Sequence, residues 1–178
     1  MAFPSEFSSI DEFEKLYAWT RLSLDQFHKS VLDGTLTASI SDFVGLTPNE
    51  VNEHFRSLTD ELENAYILKL VAASEGIFRK DFFDKVRKGK RSGTSLKDIF
   101  LKLHLRHGDK IKFEEHIIKS WKRHGNLGVP SVLSELKVAF KFRHWIAHGK
   151  YWVFEGNKLE FQETLIIVND ALKECQLI

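Results

Sequence analysis

The sequence predicts an all-α chain: a bundle of five to seven helices forming a single domain over residues 1–178. Three observations carry that expectation. Apolar residues recur at three- and four-residue intervals, helix-start signals stand ahead of those stretches, and glycines punctuate their ends. A chain of 178 residues with 43% hydrophobic and 12% aromatic content also has ample material for a packed core.

Residues 9–33 read as the first helix. Ser9 caps it, Glu12 occupies the capping-box position, and Phe13, Leu16, Leu22, Leu24, Phe27 and Leu32 supply an apolar stripe before Gly34 stops it. Residues 35–46 lack periodicity and read as a connecting loop. Thr47-Pro48-Asn49-Glu50 is a second helix start, and its pattern continues to about Lys88, a length that admits a kink or break. The middle of this stretch, Ala65 to Ala73, is apolar around most of the circumference, which suits a helix through the bundle centre.

Gly89-Lys90-Arg91-Ser92-Gly93-Thr94-Ser95 has the look of a phosphate loop but lacks the closing Gly-Lys-Ser/Thr triplet and a preceding strand. It reads as a basic interhelical loop. Ser95 or Thr94 caps a helix to about His107, Gly108-Asp109 breaks it, and Phe113 to His124 forms the next, ended by Gly125. Pro130 opens a helix running to His148. The alternating aromatic segment 151–161, centred on Gly156-Asn157, predicts a small hairpin, and an amphipathic helix from about Gln162 to Glu174 closes the chain.

Composition narrows the function classes. The single Cys175 forms no internal disulfide and suits a reduced, cytoplasmic setting. No signal peptide is evident, and no apolar run approaches the roughly 20 residues needed to span a bilayer, so no membrane association is expected. The formal net charge of +1 conceals an uneven distribution. Residues 1–63 hold 12 acidic and 4 basic side chains, whereas residues 79–152 hold 7 acidic and 19 basic. Either one basic surface faces a polyanion, or the two halves fold together and neutralise each other.

Proton-transfer and anion-binding groups are densest in Lys141-Phe142-Arg143-His144-Trp145-Ile146-Ala147-His148-Gly149-Lys150-Tyr151-Trp152. On a wheel of about 100° per residue, Val132, Leu133, Leu136, Ala139, Phe140, Ile146 and Ala147 share one face. Arg143 falls near its middle, so it must meet a carboxylate, line a cleft or face a partner. Val138, Phe142 and Trp145 form a second apolar patch, and Lys137, Lys141, His144 and His148 run as a polar stripe between the two. Histidine serves as general acid or base near neutrality and arginine binds phosphate bidentately, which together suit metal-independent cleavage of a phosphodiester by the ribose 2′-hydroxyl. A structural ion pair for Arg143 is the alternative. The His144/His148 spacing also suits zinc, but the usual intervening glutamate is missing and the other histidines show no ligand spacing. No metal and no cofactor are expected, and no nucleophile elbow is present.

Arg143-His144-Trp145-Ile146-Ala147-His148, followed by Gly149 late in a helical chain, resembles the Arg-x4-His motif of HEPN domains. These are α-helical domains of many prokaryotic toxin and antiphage-defence ribonucleases. The resemblance is strongest over residues 130–152. It implies a metal-independent endoribonuclease of a toxin–antitoxin or defence system, leaving 2′,3′-cyclic phosphate and 5′-hydroxyl ends. It further implies a homodimer with a composite site, and an antitoxin or other protein that restrains it. Arg143 would then hold the scissile phosphate, His148 would move protons, and His144 would support either role. Lys141, Lys150 and Tyr151 are candidate RNA contacts, and Glu75 is the candidate carboxylate partner of Arg143, its alternative being an i, i+4 pair with Arg79. Two other function classes fit the same residues: a HEPN-like module that binds RNA or protein without turnover, and a helical scaffold in which the motif is structural.

Overall fold

Helix-start chemistry is realised where the sequence places it. The Ser9 hydroxyl accepts the Glu12 N–H at 3.2 Å while the Glu12 carboxylate accepts the Ser9 N–H at 2.9 Å. Thr47 and Glu50 repeat this exchange at 3.3 and 2.7 Å, with Pro48 in the first turn. In the computed structural model, which describes residues 9–35, 41–150 and 153–178, these caps open α1 (Ile10–Leu32) and α2 (Pro48–Lys88). There follow α3 (Leu96–His107), α4 (Lys119–His124), α5 (Val129–Ala147) and α6 (Phe161–Glu174). No strand occurs among the described residues.

α2 is the spine. It runs 41 residues as one helix, about 60 Å long. Tertiary packing rather than propensity sustains that length: Ile67, Leu70, Val71, Phe78 and Phe82 are fully buried along it. α1 lies antiparallel on its first part, where Tyr17 Oη donates to Glu63 Oε1 at 2.7 Å and His28 Nε2 meets Asn52 Oδ1 at 2.8 Å. α3 folds back on its last turns through Phe82 and Phe100, whose ring centroids are 4.8 Å apart. α5 runs antiparallel to the middle of α2, and α6 begins beside Tyr66, where Phe161 stacks on Tyr17 with centroids 3.9 Å apart. The main core lies among α2, α5 and α6, with α3 and α4 closing one end.

At the other end, the last turns of α1 and the first turns of α2 continue as a two-helix arm. Phe27, His28, Phe43, His54 and Phe55 stack there into a small aromatic core of their own. This arm holds Asp25, Asp33, Asp42, Glu50 and Glu53 against Lys29 and Arg56, while basic residues gather at the far end of α2 and on α3 and α4. The stretches 1–63 and 79–152 still meet where Lys150 pairs with Glu61 on α2.

Three expectations are corrected. The segment 113–124 starts as a π-helical turn, Phe113–Ile118, before α4 takes over. The hairpin does not form among the described residues of 151–161: 153–160 carry no strand, and Tyr151 and Trp152 lie outside those residues. Phe154 instead packs on Phe142 and Trp145, with centroids 5.3 and 5.5 Å away, and Leu159 is buried. An isolated two-stranded hairpin has little stability of its own, so burial of these side chains prevails. Finally, the two apolar faces of α5 are not fully covered. Ala147 is exposed at the helix end and Val138 is 40% exposed.

Candidate functional site

α5 ends in a defined way. Gly149, with φ +78°, donates its N–H to Ile146 O at 3.0 Å, and Lys150 donates to Trp145 O at 3.2 Å. This paired arrangement satisfies the last carbonyls and places His148 at the helix cap. The left-handed turn is the physical use of the glycine that closes the Arg-x4-His segment.

An open groove runs along the outer side of α5. Its walls are Lys112 to Glu115 on one side and Val153 to Gly156 on the other, with Glu75 of α2 at depth. Arg143 and His144 both line it, together with Lys141 and Val138. Arg143 is thus half-buried at the groove rather than sealed in the core: its side chain retains 36% exposure.

The partner of Arg143 is Glu75, and the pairing is shared. Glu75 Oε1 accepts from Arg79 Nε at 2.8 Å and lies 2.7 Å from Arg79 Nη2, whereas Glu75 Oε2 is 3.4 Å from Arg143 Nη1. Both sequence alternatives for Glu75 are realised, with the helical neighbour holding the shorter contacts. A guanidinium presents five N–H donors, and this long single contact engages only one of them. Arg143 is therefore directed towards Glu75 with donor capacity left for an anion.

The lysines around the groove are not equivalent. Lys112 pairs with Glu115 at 2.8 Å and Lys137 with Glu114 at 3.7 Å. Lys141 is exposed between them and has no carboxylate partner among the described residues. The rings of His144 and His148 meet with centroids 4.1 Å apart. Both imidazoles are exposed, but only His144 lines the groove. Residues five apart on a helix diverge by about 140°, which sets His148 away from the arginine's side of α5, while its ring meets that of His144.

The remaining candidates fall elsewhere. Lys150 turns back to Glu61 of α2 at 2.6 Å, holding the end of α5 to the spine instead of facing the groove. Tyr151 lies outside the described residues. Sequence reasoning missed the Lys112–Glu115 wall, although the opposite charges three residues apart were the available signal. Cys175 offers no competing nucleophile: it is 2% exposed, and burial, with Asp81 nearby, pushes its thiol up to about 12. Among the described residues no group of three or more His, Cys, Asp or Glu side chains is arranged to hold a metal ion, and no helix is long and apolar enough to cross a membrane. No protein-family model, curated protein or solved structure matches the chain.

Proposed function

We propose that the chain is a metal-independent endoribonuclease whose reacting groups are Arg143, His144 and His148. The observation that carries this reading is the placement of Arg143 and His144 in one groove, with the arginine oriented by Glu75 yet only partly engaged by it. A guanidinium so placed is suited to gripping a phosphodiester and countering charge that develops on its oxygens. Lys141 adds a second positive charge beside it.

In the proposed step the ribose 2′-oxygen attacks the adjacent phosphorus. The new P–O2′ bond forms as the P–O5′ bond breaks, leaving a 2′,3′-cyclic phosphate and a 5′-hydroxyl. One imidazole of the His144–His148 pair takes the 2′-hydroxyl proton and a protonated imidazole supplies the leaving 5′-oxygen. A homodimer would let His148 of each chain act across the interface, and the exposed Ala147 beside it leaves this end of α5 open to such packing. Toxin or defence biology, with a restraining partner, belongs to the same proposal.

The test is incubation of labelled RNA with the protein in excess EDTA beside Arg143→Ala, His144→Ala and His148→Ala. Cleavage that survives chelation and disappears in Arg143→Ala and in at least one histidine variant supports the reading. RNA binding without turnover, indifferent to all three changes, would replace it with the non-catalytic binding module.

A further inference from the structure

The loop between α2 and α3 is built as a rigid cationic surface, and neither the groove nor its chemistry uses it. Its centre is Asp98, a carboxylate only 5% exposed. Asp98 Oδ1 accepts the Lys90 N–H at 2.6 Å, and Oδ2 accepts the Ser95 N–H at 3.0 Å together with the Ser95 hydroxyl. Lys102 grips the loop from outside, donating to Gly93 O at 2.7 Å. A side chain at position 93 would collide with the Asp98 carboxylate, so Gly93 is what permits this close wrap. The segment is thus held around one buried anion by backbone groups, leaving its own charged side chains uninvolved.

Those side chains all point one way chemically. Lys88, Lys90, Arg91 and Lys97 are exposed, and among the described residues none forms an ion pair with a carboxylate, although Lys88 and Lys97 lie in the field of Asp81 and Asp98. Neighbouring Lys85 and Arg87, in contrast, are tied to Asp81 and Asp84. Between the four cations stand Ser92 and Thr94, also exposed. The face holds no exposed aromatic or aliphatic anchor, and a stable protein interface normally centres on one. Lysine, arginine and hydroxyl groups without apolar anchors are what contacts to a phosphate backbone use.

We infer that Lys88, Lys90, Arg91 and Lys97 form a docking surface for the phosphate backbone of RNA, separate from the groove. The inference rests on the ribonuclease reading for the identity of the polyanion. Glu75 and Lys88 are 13 positions apart on α2, about 20 Å along its axis, so this surface grips a part of the strand distant from Arg143. With no aromatic ring to stack bases, its contribution is independent of sequence and steeply salt-dependent.

The experiment measures fluorescence anisotropy of a fully 2′-O-methylated single-stranded oligonucleotide, which cannot be cleaved by 2′-hydroxyl attack. Wild type is compared with the quadruple variant Lys88→Gln, Lys90→Gln, Arg91→Gln, Lys97→Gln across a salt series. The fold should tolerate these changes, because Lys90 holds Asp98 through its backbone N–H; circular dichroism verifies this. Affinity at low salt should fall at least tenfold, and the slope of log K against log salt should flatten by about 3. Equal affinity and slope in the two proteins would overturn the inference. So would an unchanged RNA affinity accompanied by loss of self-association at low salt, which would assign the surface to the acidic arm of a second copy. Binding is read without turnover, so failure of the ribonuclease reading is separable. RNA cleavage with no effect of the quadruple variant on binding overturns this surface alone.

Discussion

Arg143 Nη1 stands 3.4 Å from Glu75 Oε2, across the contact between α5 and α2. The same carboxylate is held at 2.7 Å by Arg79, so Glu75 orients Arg143 without saturating it. A phosphate arriving in the groove would compete with Glu75 for the same guanidinium.

Glu75→Gln should therefore split binding from turnover. Removing the competing negative charge raises RNA affinity several-fold, while loss of the anchored orientation lowers kcat. Fold stability should change by less than about 1 kcal/mol, since the Arg143–Glu75 pair is partly exposed. Equal reductions in affinity and kcat would show that Glu75 does not position Arg143 in this way.

Phe78 tests the spine. It is fully buried, with Phe113 and Trp121 edge-on at centroid distances of 6.1 and 6.4 Å. Phe78→Ala should cost about 3–5 kcal/mol in denaturant unfolding. A loss below about 1 kcal/mol would mean that α2 and the π-helical turn do not share a core.

Gly149→Ala probes the end of α5. At φ +78° a Cβ is disfavoured, and the change should cost about 1–2 kcal/mol. Because His148 is the adjoining cap residue, cleavage should decline more than it does for Ala147→Gly. Unchanged stability would show that the left-handed turn is absent in solution.

Tyr17 gives an alkaline signature. Burial, with help from its hydrogen bond to Glu63, raises its phenol from 10.0 to about 12. A pKa raised by folding favours the protonated form, so this contribution is complete below about pH 10 and is lost as pH climbs towards 12. The pH dependence of thermal unfolding should lose that component in Tyr17→Phe. If both proteins show the same alkaline limb, Tyr17 is not the group responsible.

Local signals were the most legible part of the sequence. Ser9 with Glu12, and Thr47 with Glu50, act within four residues, so their caps could be read directly. The helical wheel placed Arg143 on an apolar face because α5 is regular there, and of the carboxylate, cleft or partner its charge called for, the first two are present as Glu75 and the groove. It failed at Ala147 and Val138, where the face runs past the helix end or opens into the groove. The alternation around Gly156 suggested a hairpin, but packing of Phe154 on Phe142 and Trp145 depends on partners distant in sequence. The Asp98 latch was missed for a different reason. Ser95 and Asp98 have capping-box spacing, but wrapping the preceding loop around that carboxylate also needs Lys90 N–H and the room left by Gly93. The neighbourhood of His144 and His148 was legible from their four-residue spacing, whereas the groove that His144 lines needed tertiary geometry.

The central claim is tested most directly by the chemistry of the cut ends. A single RNA is incubated in excess EDTA with the wild-type protein and with Arg143→Ala, and the product termini are identified by mass spectrometry. The account predicts 2′,3′-cyclic phosphate and 5′-hydroxyl ends from wild type, no product from Arg143→Ala, and no cleavage at a 2′-deoxy position. Products with a 5′-phosphate, or unimpaired cleavage by Arg143→Ala, would contradict it.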